Sequence, residues 1–333
     1  MAPSIALPVF FGSLVVTLAA SASFARRLDT LGVHLGLPEA LLGLLTAVAA
    51  DAPEIVSALV ALGEGANGAS LGVLVGSNVF NLAAMIGLTA VLAGNVRLRR
   101  ESLLLEASVG LLVLLVAAGL LAGYLPSPAA VLLLAAIFVP YVFLLIRGRD
   151  VAELALPLPR GLRAGLGRAL GEREPEHLPV ETTESIRSTV AWIPVAVVLI
   201  VAGSFGLVKA ALALAEQWHA SQVAIGVLVL APLTSIPNAF TALRLGLADR
   251  GAALVSETLN SNTINLAAGL VLPALFVTVA ALTNEAKFDL VWLALLTFAS
   301  LGFLARRRGI GRLGGATLIA LYLVFVVVEL TRI

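Results

Sequence analysis

Residues 46–59 read TAVAADAPEIVSAL, a largely apolar run that carries two charges, Asp51 and Glu54, and the helix-breaking Pro53. A carboxylate in the middle of a bilayer costs at least about 2.5 kcal/mol on insertion scales. A plain membrane anchor has no reason to carry two. Asp51 and Glu54 are three positions apart, which puts them on one helix face about a turn from each other. Two close carboxylates in a dry site repel, so they should hold a cation or share protons. Pro53 removes one backbone donor and frees a carbonyl, which offers a further oxygen where the helix opens.

The chain around this stretch is 333 residues long, 60% hydrophobic and 12% charged, with a mean hydropathy of +1.05. That is too little polar surface for a water-soluble globule, and the expected class is an all-α polytopic membrane protein. There is no cysteine, which excludes disulfides and thiolate metal sites. His34, His177 and His219 form no cluster, so a zinc centre is not expected. Apolar runs of spanning length fall at about 5–23, 38–62, 69–93, 102–123, 128–146, 189–214, 221–245, 252–281, 288–305 and 312–331. Ten helices follow. With the N-terminus outside, 18 of the 21 basic residues lie inside, and only Lys209, Lys287 and Arg332 lie outside. Both termini are then expected outside. The stretch ASASFA (20–25) resembles a signal-peptide cleavage site, but no basic segment precedes the first apolar run and arginines follow it directly, so a retained helix is expected.

Residues 147–188 break the hydropathy pattern with seven arginines, seven acidic residues and prolines 157, 159, 175 and 179. They read as a cytoplasmic, partly helical linker between a first half (1–146) and a second (189–333), each of five helices. A shift of 184 residues lays APEIVSAL (52–59) on IPNAFTAL (236–243). The same shift lays GSNVFNLAA (76–84) on NSNTINLAA (260–268), without a gap. Repeat 1 thus covers about 38–93 and repeat 2 about 221–281. Helices 2 and 3 join outside through GEGANG (63–68), helices 7 and 8 inside near Asp249 and Arg250, so the repeats are inverted. Inverted repeats with interrupted helices meeting near the midplane mark secondary transporters that work by alternating access.

The polar residues of the repeats are the candidate ligands. Repeat 1 offers Asp51, Glu54, Ser77 and Asn81; repeat 2 offers Thr234, Ser235, Asn238, Ser261 and Asn265. Glu257 lies four before Ser261 on the same face, either as an entry ligand or as a hydrated residue near the helix start. Hard oxygen donors of this kind suit Ca²⁺, Na⁺ and similar cations. The small polar residues also have a packing role open to them, bringing membrane helices together.

ADAPE followed by GSNVFN, repeated as TSIPN and NSNTIN, resembles the two alpha repeats of the sodium/calcium exchanger family within the calcium/cation antiporter superfamily. The resemblance implies ten helices with a cytoplasmic linker, and antiport of a divalent cation against Na⁺ or H⁺ with ligands from helices 2, 3, 7 and 8. It carries the ion site onto the nine repeat residues named above. The family pattern usually has a glutamate where Asn238 stands, often an acid where Asn265 stands, and a hydroxyl pair where Ala50 and Asp51 stand.

With Asp51 and Glu54 ionised, the core carries two negative charges, which match one divalent ion or two monovalent ones. Exchange of one divalent ion for two protons or two Na⁺ is therefore expected. Ca²⁺ is the first expectation, with Mn²⁺, Mg²⁺, Na⁺ and K⁺ as alternatives. A channel would need no inverted pair of proline-broken helices, and a membrane enzyme would need a catalytic constellation that is not present. No cofactor is expected beyond the transported ions. The expected partners are the lipid bilayer and inorganic cations, with no nucleic acid and no obligate protein partner.

Overall fold

Apolar runs of this length have one stable form in lipid, the helix, because every backbone donor must find an acceptor within its own segment. The computed structural model describes residues 3–35, 39–97, 100–147, 159–171, 186–277 and 283–332. It begins with α1 (Pro3–His34), followed by α2 (Glu39–Ala50) and α3 (Ala52–Gly63), which are separated only by Asp51. Next, α4 (Asn67–Asn81) continues through a π turn (Leu82–Leu88) into α5 (Thr89–Ala93). After the short strand β1 (Asn95–Val96) come α6 (Arg100–Leu121) and α7 (Ser127–Arg147).

In the linker, α8 (Arg160–Gly171) is helical as expected, and docks on α6 through Ser102 Oγ to the Ala169 carbonyl (3.0 Å). The seven acidic residues assigned to the linker lie outside the described residues. The second half starts with α9 (Ile186–Gln217). Then α10 (Gln222–Ile225), a π turn (Gly226–Leu230) and α11 (Ala231–Thr234) lead to a break at Ser235 and to α12 (Ile236–Leu247). Last come α13 (Gly251–Leu266) with its own π turn (Ala267–Val271), α14 (Asn284–Leu304), strand β2 (Ile310–Gly311) and α15 (Arg312–Leu330).

Among the described residues, seven helical stretches are long and apolar enough to cross a bilayer, or eight if the pair Gln222–Thr234 and Ile236–Leu247, bent by 47°, is one span. The other two of the ten expected segments are α2–α3, divided into two 12-residue pieces, and α13 with its π turn. Their location explains the difference. Nearly every residue of α13 is buried, so it needs no lipid-compatible surface and keeps Glu257, Asn260, Ser261 and Asn265 inside. The stretch Asn67–Ala93 is likewise interior, 78% buried against 22% for the peripheral α7.

The outer frame consists of α1 and α9, each of 32 residues. At 1.5 Å per residue each is about 48 Å long, well beyond a roughly 30 Å hydrocarbon core, so both must tilt or protrude. They cross at close range: a Cβ on Gly203 would stand 3.0 Å from the Thr17 backbone nitrogen. In the core, α4 crosses the α10 π turn at Gly72 and Gly226, where a Cβ on either would come within 2.6 Å of a carbonyl of the other helix. Small residues allow this approach.

Two contacts agree with the side assigned to each loop. The loops after α5 and after α14, both expected inside, pair as an antiparallel ribbon, Asn95 with Gly311 and Val96 with Ile310. Glu64 and Lys209, both expected outside, form an ion pair.

Candidate functional site

The site is built on two helix breaks that share one backbone geometry. Asp51, between α2 and α3, has φ −80° and ψ −2°. Ser235, between α11 and α12 and 184 positions later, has φ −86° and ψ 0°. Each break keeps the bonds on either side, Asp51 N to Ala47 O (2.9 Å) and Ile55 N to Asp51 O (3.0 Å) in one, Ser235 N to Ala231 O (3.1 Å) and Ala239 N to Ser235 O (3.0 Å) in the other. What each lacks is the proline's donor. Pro53 and Pro237 sit at the second position of α3 and α12, so the carbonyl four residues earlier loses its helical partner. In the first break that carbonyl belongs to Ala49 and accepts from Ser21 Oγ of α1 at 2.9 Å. The oxygen expected to be offered to an ion there is therefore bonded to a neighbouring helix. The ligands fall to side chains.

The centre of the molecule is a quartet of asparagines from α4 and α13. Asn78 Nδ2 donates to the Asn262 carbonyl (3.0 Å), and Asn262 Nδ2 donates to the Asn78 carbonyl (3.1 Å). Asn81 Nδ2 donates to Asn262 Oδ1 (3.2 Å), and Asn265 Nδ2 to Asn78 Oδ1 (3.2 Å). Each bond has its counterpart under the 184-residue shift, so an approximate two-fold axis runs between Asn78 and Asn262. A bonded polar network of this kind fixes the register of two helices in a setting where an unmade bond is expensive.

The carboxylates break that symmetry. Asp51 Oδ1 accepts from Asn238 Nδ2 at 2.7 Å and from Ser261 Oγ at 2.7 Å. Asn238 Nδ2 also reaches Glu54 Oε1 at 3.4 Å. Ser261 Oγ in turn accepts from Asn81 Nδ2 at 3.1 Å. Both carboxylates of repeat 1 are thus held by donors of repeat 2, and Ser235 lies beside Glu54. Asp51, Glu54, Ser77, Asn81, Thr234, Ser235, Asn238, Ser261 and Asn265 are all buried.

Around these bonds, several buried oxygens have no hydrogen-bond partner: Asp51 Oδ2, Glu54 Oε2, Ser77 Oγ, Asn81 Oδ1, Asn238 Oδ1 and Asn265 Oδ1. A buried polar atom left unpaired costs about 1–3 kcal/mol. Six together, two of them on carboxylates, describe a group that needs a cation or water to be stable. The oxygens left over come from hydroxyls, amides and carboxylates, the set that a hard cation prefers.

Two expected residues have a different place. Thr234 Oγ1 donates back into its own helix, to the carbonyls of Leu230 (2.8 Å) and Ala231 (3.2 Å), leaving only lone pairs for an ion. Glu257 is buried one turn before Ser261, while the bonds to Asp51 and Glu54 come from Asn238 and Ser261. Three residues outside the expected set join the site: Asn78 and Asn262, and Ser57, whose buried Oγ has no partner one turn after Glu54. All three had a signal, since the 184-residue shift lays Asn78 on Asn262 and Ser57 on the hydroxyl of Thr241.

Comparison with known proteins agrees with this layout. The family described as sodium/calcium exchanger protein matches residues 5–147 and 188–331, leaving out only the linker and the ends. The candidate antiporter CaxA of Alkalimonas amylolytica is 31% identical over 84 residues, which is 25% of this chain and only about a quarter (26%) of that relative's length. Among solved structures, native YfkE has a TM-score of 0.64 at 18% identity, covering 96% of this chain and 91% of its own. The H⁺/Ca²⁺ exchanger CAX has a TM-score of 0.71 at 15% identity, covering 98% and 87%. The sodium-calcium exchanger NCX_Mj, soaked with Na⁺ and Sr²⁺, has a TM-score of 0.58 at 20% identity, covering 97% and 98%. At these identities the likeness to solved structures is one of fold. The match across both halves shows that the chain, a multi-pass membrane protein, belongs to the sodium/calcium exchanger protein family.

Proposed function

We propose that the chain exchanges a divalent cation, Ca²⁺ first, for two monovalent cations, H⁺ or Na⁺, and that the ion binds between α2–α3, α4, α11–α12 and α13. The observation that carries this reading is the pair Asp51 and Glu54, held by donors from the opposite repeat, each with one oxygen unpartnered. Asp51 and Glu54 supply the charge. Ser77, Asn81, Asn238 and Asn265 supply neutral oxygens, with Thr234, Ser235 and Ser261 lining the breaks. Glu257 stands one turn along α13 on the approach to them.

Alternating access follows from the layout. The breaks at Asp51 and Ser235 divide two of the ligand-bearing segments, α2–α3 and α11–α12, into short pieces that tilt separately. The asparagine quartet keeps α4 and α13 together as the element against which they move. Because both carboxylates bond across the axis, neither half can swing while the acids are unfilled without breaking the Asn238 and Ser261 bonds. A bound cation replaces those donors.

The test is ion flux in proteoliposomes with Ca²⁺ on one side and a Na⁺ or H⁺ gradient on the other. The expected outcome is Ca²⁺ movement that requires a counter-gradient. Glu54→Gln should lower it on the order of 100-fold or more, since even partners outside the first shell of an ion are worth 10–100-fold. Ca²⁺ flux that needs no counter-ion would point to a channel, and unchanged flux in the variant would remove Glu54 from the site.

A further inference from the structure

A second polar space lies between α4, α6, α13 and α14. It is a cavity of about 30 Å³ whose walls include Glu106, Asn78, Asn262, Thr263 and Thr297, and neither Asp51 nor Glu54 lines it. A water needs roughly 10–15 Å³ of such space, so there is room for about two waters, or for one small cation with a water. Gly110 of α6 keeps the space open: a Cβ there would stand 3.1 Å from Thr263 Oγ1 and meet nothing else within 4 Å. Glu106 is only 2% exposed, and Ser256 Oγ of α13 donates to its Oε1 at 2.5 Å. A carboxyl buried among membrane helices is costly, and its default reading is functional. The internal repeat does not account for it, since the 184-residue shift lays Glu106 on Leu290 and Ser256 on Gly72.

The walls of this cavity are rich in lone pairs. Thr263 Oγ1 and Thr297 Oγ1 each direct their proton into their own helix, to the carbonyls of Leu259 (2.7 Å) and Leu293 (2.7 Å), which leaves acceptor capacity on both hydroxyls. The amides of Asn78 and Asn262 each donate to the other's carbonyl. The Ser256 proton goes to Glu106. Among the described residues, Glu106 is the one charged group that lines the space, so one positive charge balances it and a divalent ion would leave an excess. Oxygen ligands in so small a volume suit a hard cation. We propose that Glu106 and this cavity hold one Na⁺, separate from the ions that are exchanged. Such an ion sits where α6 and α14 meet the α4–α13 pair, so it braces the asparagine quartet from outside the exchange site. The inference does not depend on which ions Asp51 and Glu54 exchange.

The experiment is equilibrium binding of radiolabelled Na⁺ to the full chain in detergent at mildly alkaline pH, with and without saturating Ca²⁺. Ca²⁺ should clear Na⁺ from Asp51 and Glu54 and leave one Na⁺ per chain. Glu106→Gln, whose amide oxygen still accepts from Ser256, should lose that retained Na⁺ while any Na⁺ that Ca²⁺ displaces is unaffected. Gly110→Ala keeps the carboxyl but takes up space beside Thr263, and should weaken the retained binding about tenfold. A native chain that retains no Na⁺ under Ca²⁺ would overturn the inference, and is the result expected if Glu106 only holds a proton. So would full retention in Glu106→Gln, or unchanged affinity in Gly110→Ala. Thermal unfolding shows whether each variant is folded; should Glu106→Gln not fold, the native count and Gly110→Ala still decide the matter. Asp51→Asn with Glu54→Gln is a separate sample that should keep one Na⁺ and lose Ca²⁺ binding. Intact Ca²⁺ binding there would overturn the exchange-site reading and leave the Glu106 cavity standing.

Discussion

At the scale of the residue, the informative groups are those whose partners come from far along the chain. Pro53 makes the Ala49 carbonyl an orphan, and Ser21 of α1 satisfies it at 2.9 Å. Ser21→Ala should leave that buried carbonyl unpaired and lower unfolding stability by about 1–3 kcal/mol, with flux changed less than in Glu54→Gln; thermal unfolding in detergent beside the flux assay checks it. The candidate acids were legible in the sequence because a charge in an apolar run is conspicuous, and the shift of 184 gave each its counterpart. The donors that hold them were not. That Asn238 faces Asp51 rather than its own helix depends on how two distant segments dock, which no local pattern records.

At the scale of the element, the proline-broken helices and their positions were readable, and the break falls at Asp51 and Ser235 as the aligned prolines require. The π turns after Asn81 and in the α10 segment had no readable signal, since each adds a single residue per turn without altering composition. The second of them brings Gly226 against α4, with the Ala69 carbonyl 2.6 Å from where a Cβ would be. Gly226→Ala must push α4 and α10 apart, and α4 carries Ser77, Asn78 and Asn81. The expected result is lower thermal stability together with lost exchange, whereas alanine at Gly12, where a Cβ meets nothing within 4 Å, should leave both unchanged. Thermal melts and flux on the two variants side by side provide the check.

At the scale of the whole molecule, hydropathy separated helices from loops, the interior α13 and the broken α2–α3 included. A helix surrounded by other helices, such as α13, is free of the requirement to look apolar. The inverted arrangement was legible from arginine placement and the repeat together. The pairing of β1 with β2 and of Glu64 with Lys209 places each pair of loops on one face, in keeping with that reading.

The approximate two-fold through Asn78 and Asn262 has a last consequence. A molecule built this way nearly matches itself after half a turn that exchanges the two sides of the membrane, so it needs something to tell it which way is up. At the breaks one exchange, Ala50 against Thr234, carries no charge, and the charge of that compass lies in two others, Asp51 against Ser235 and Glu54 against Asn238. Trading all four, Asp51→Ser and Glu54→Asn with Ser235→Asp and Asn238→Glu, preserves the charge and should turn the needle round. Apparent Ca²⁺ affinities at the two faces, measured in vesicles of known orientation, should then change places. If each face kept its original affinity, the sense of direction would have to reside in the helices that surround the site.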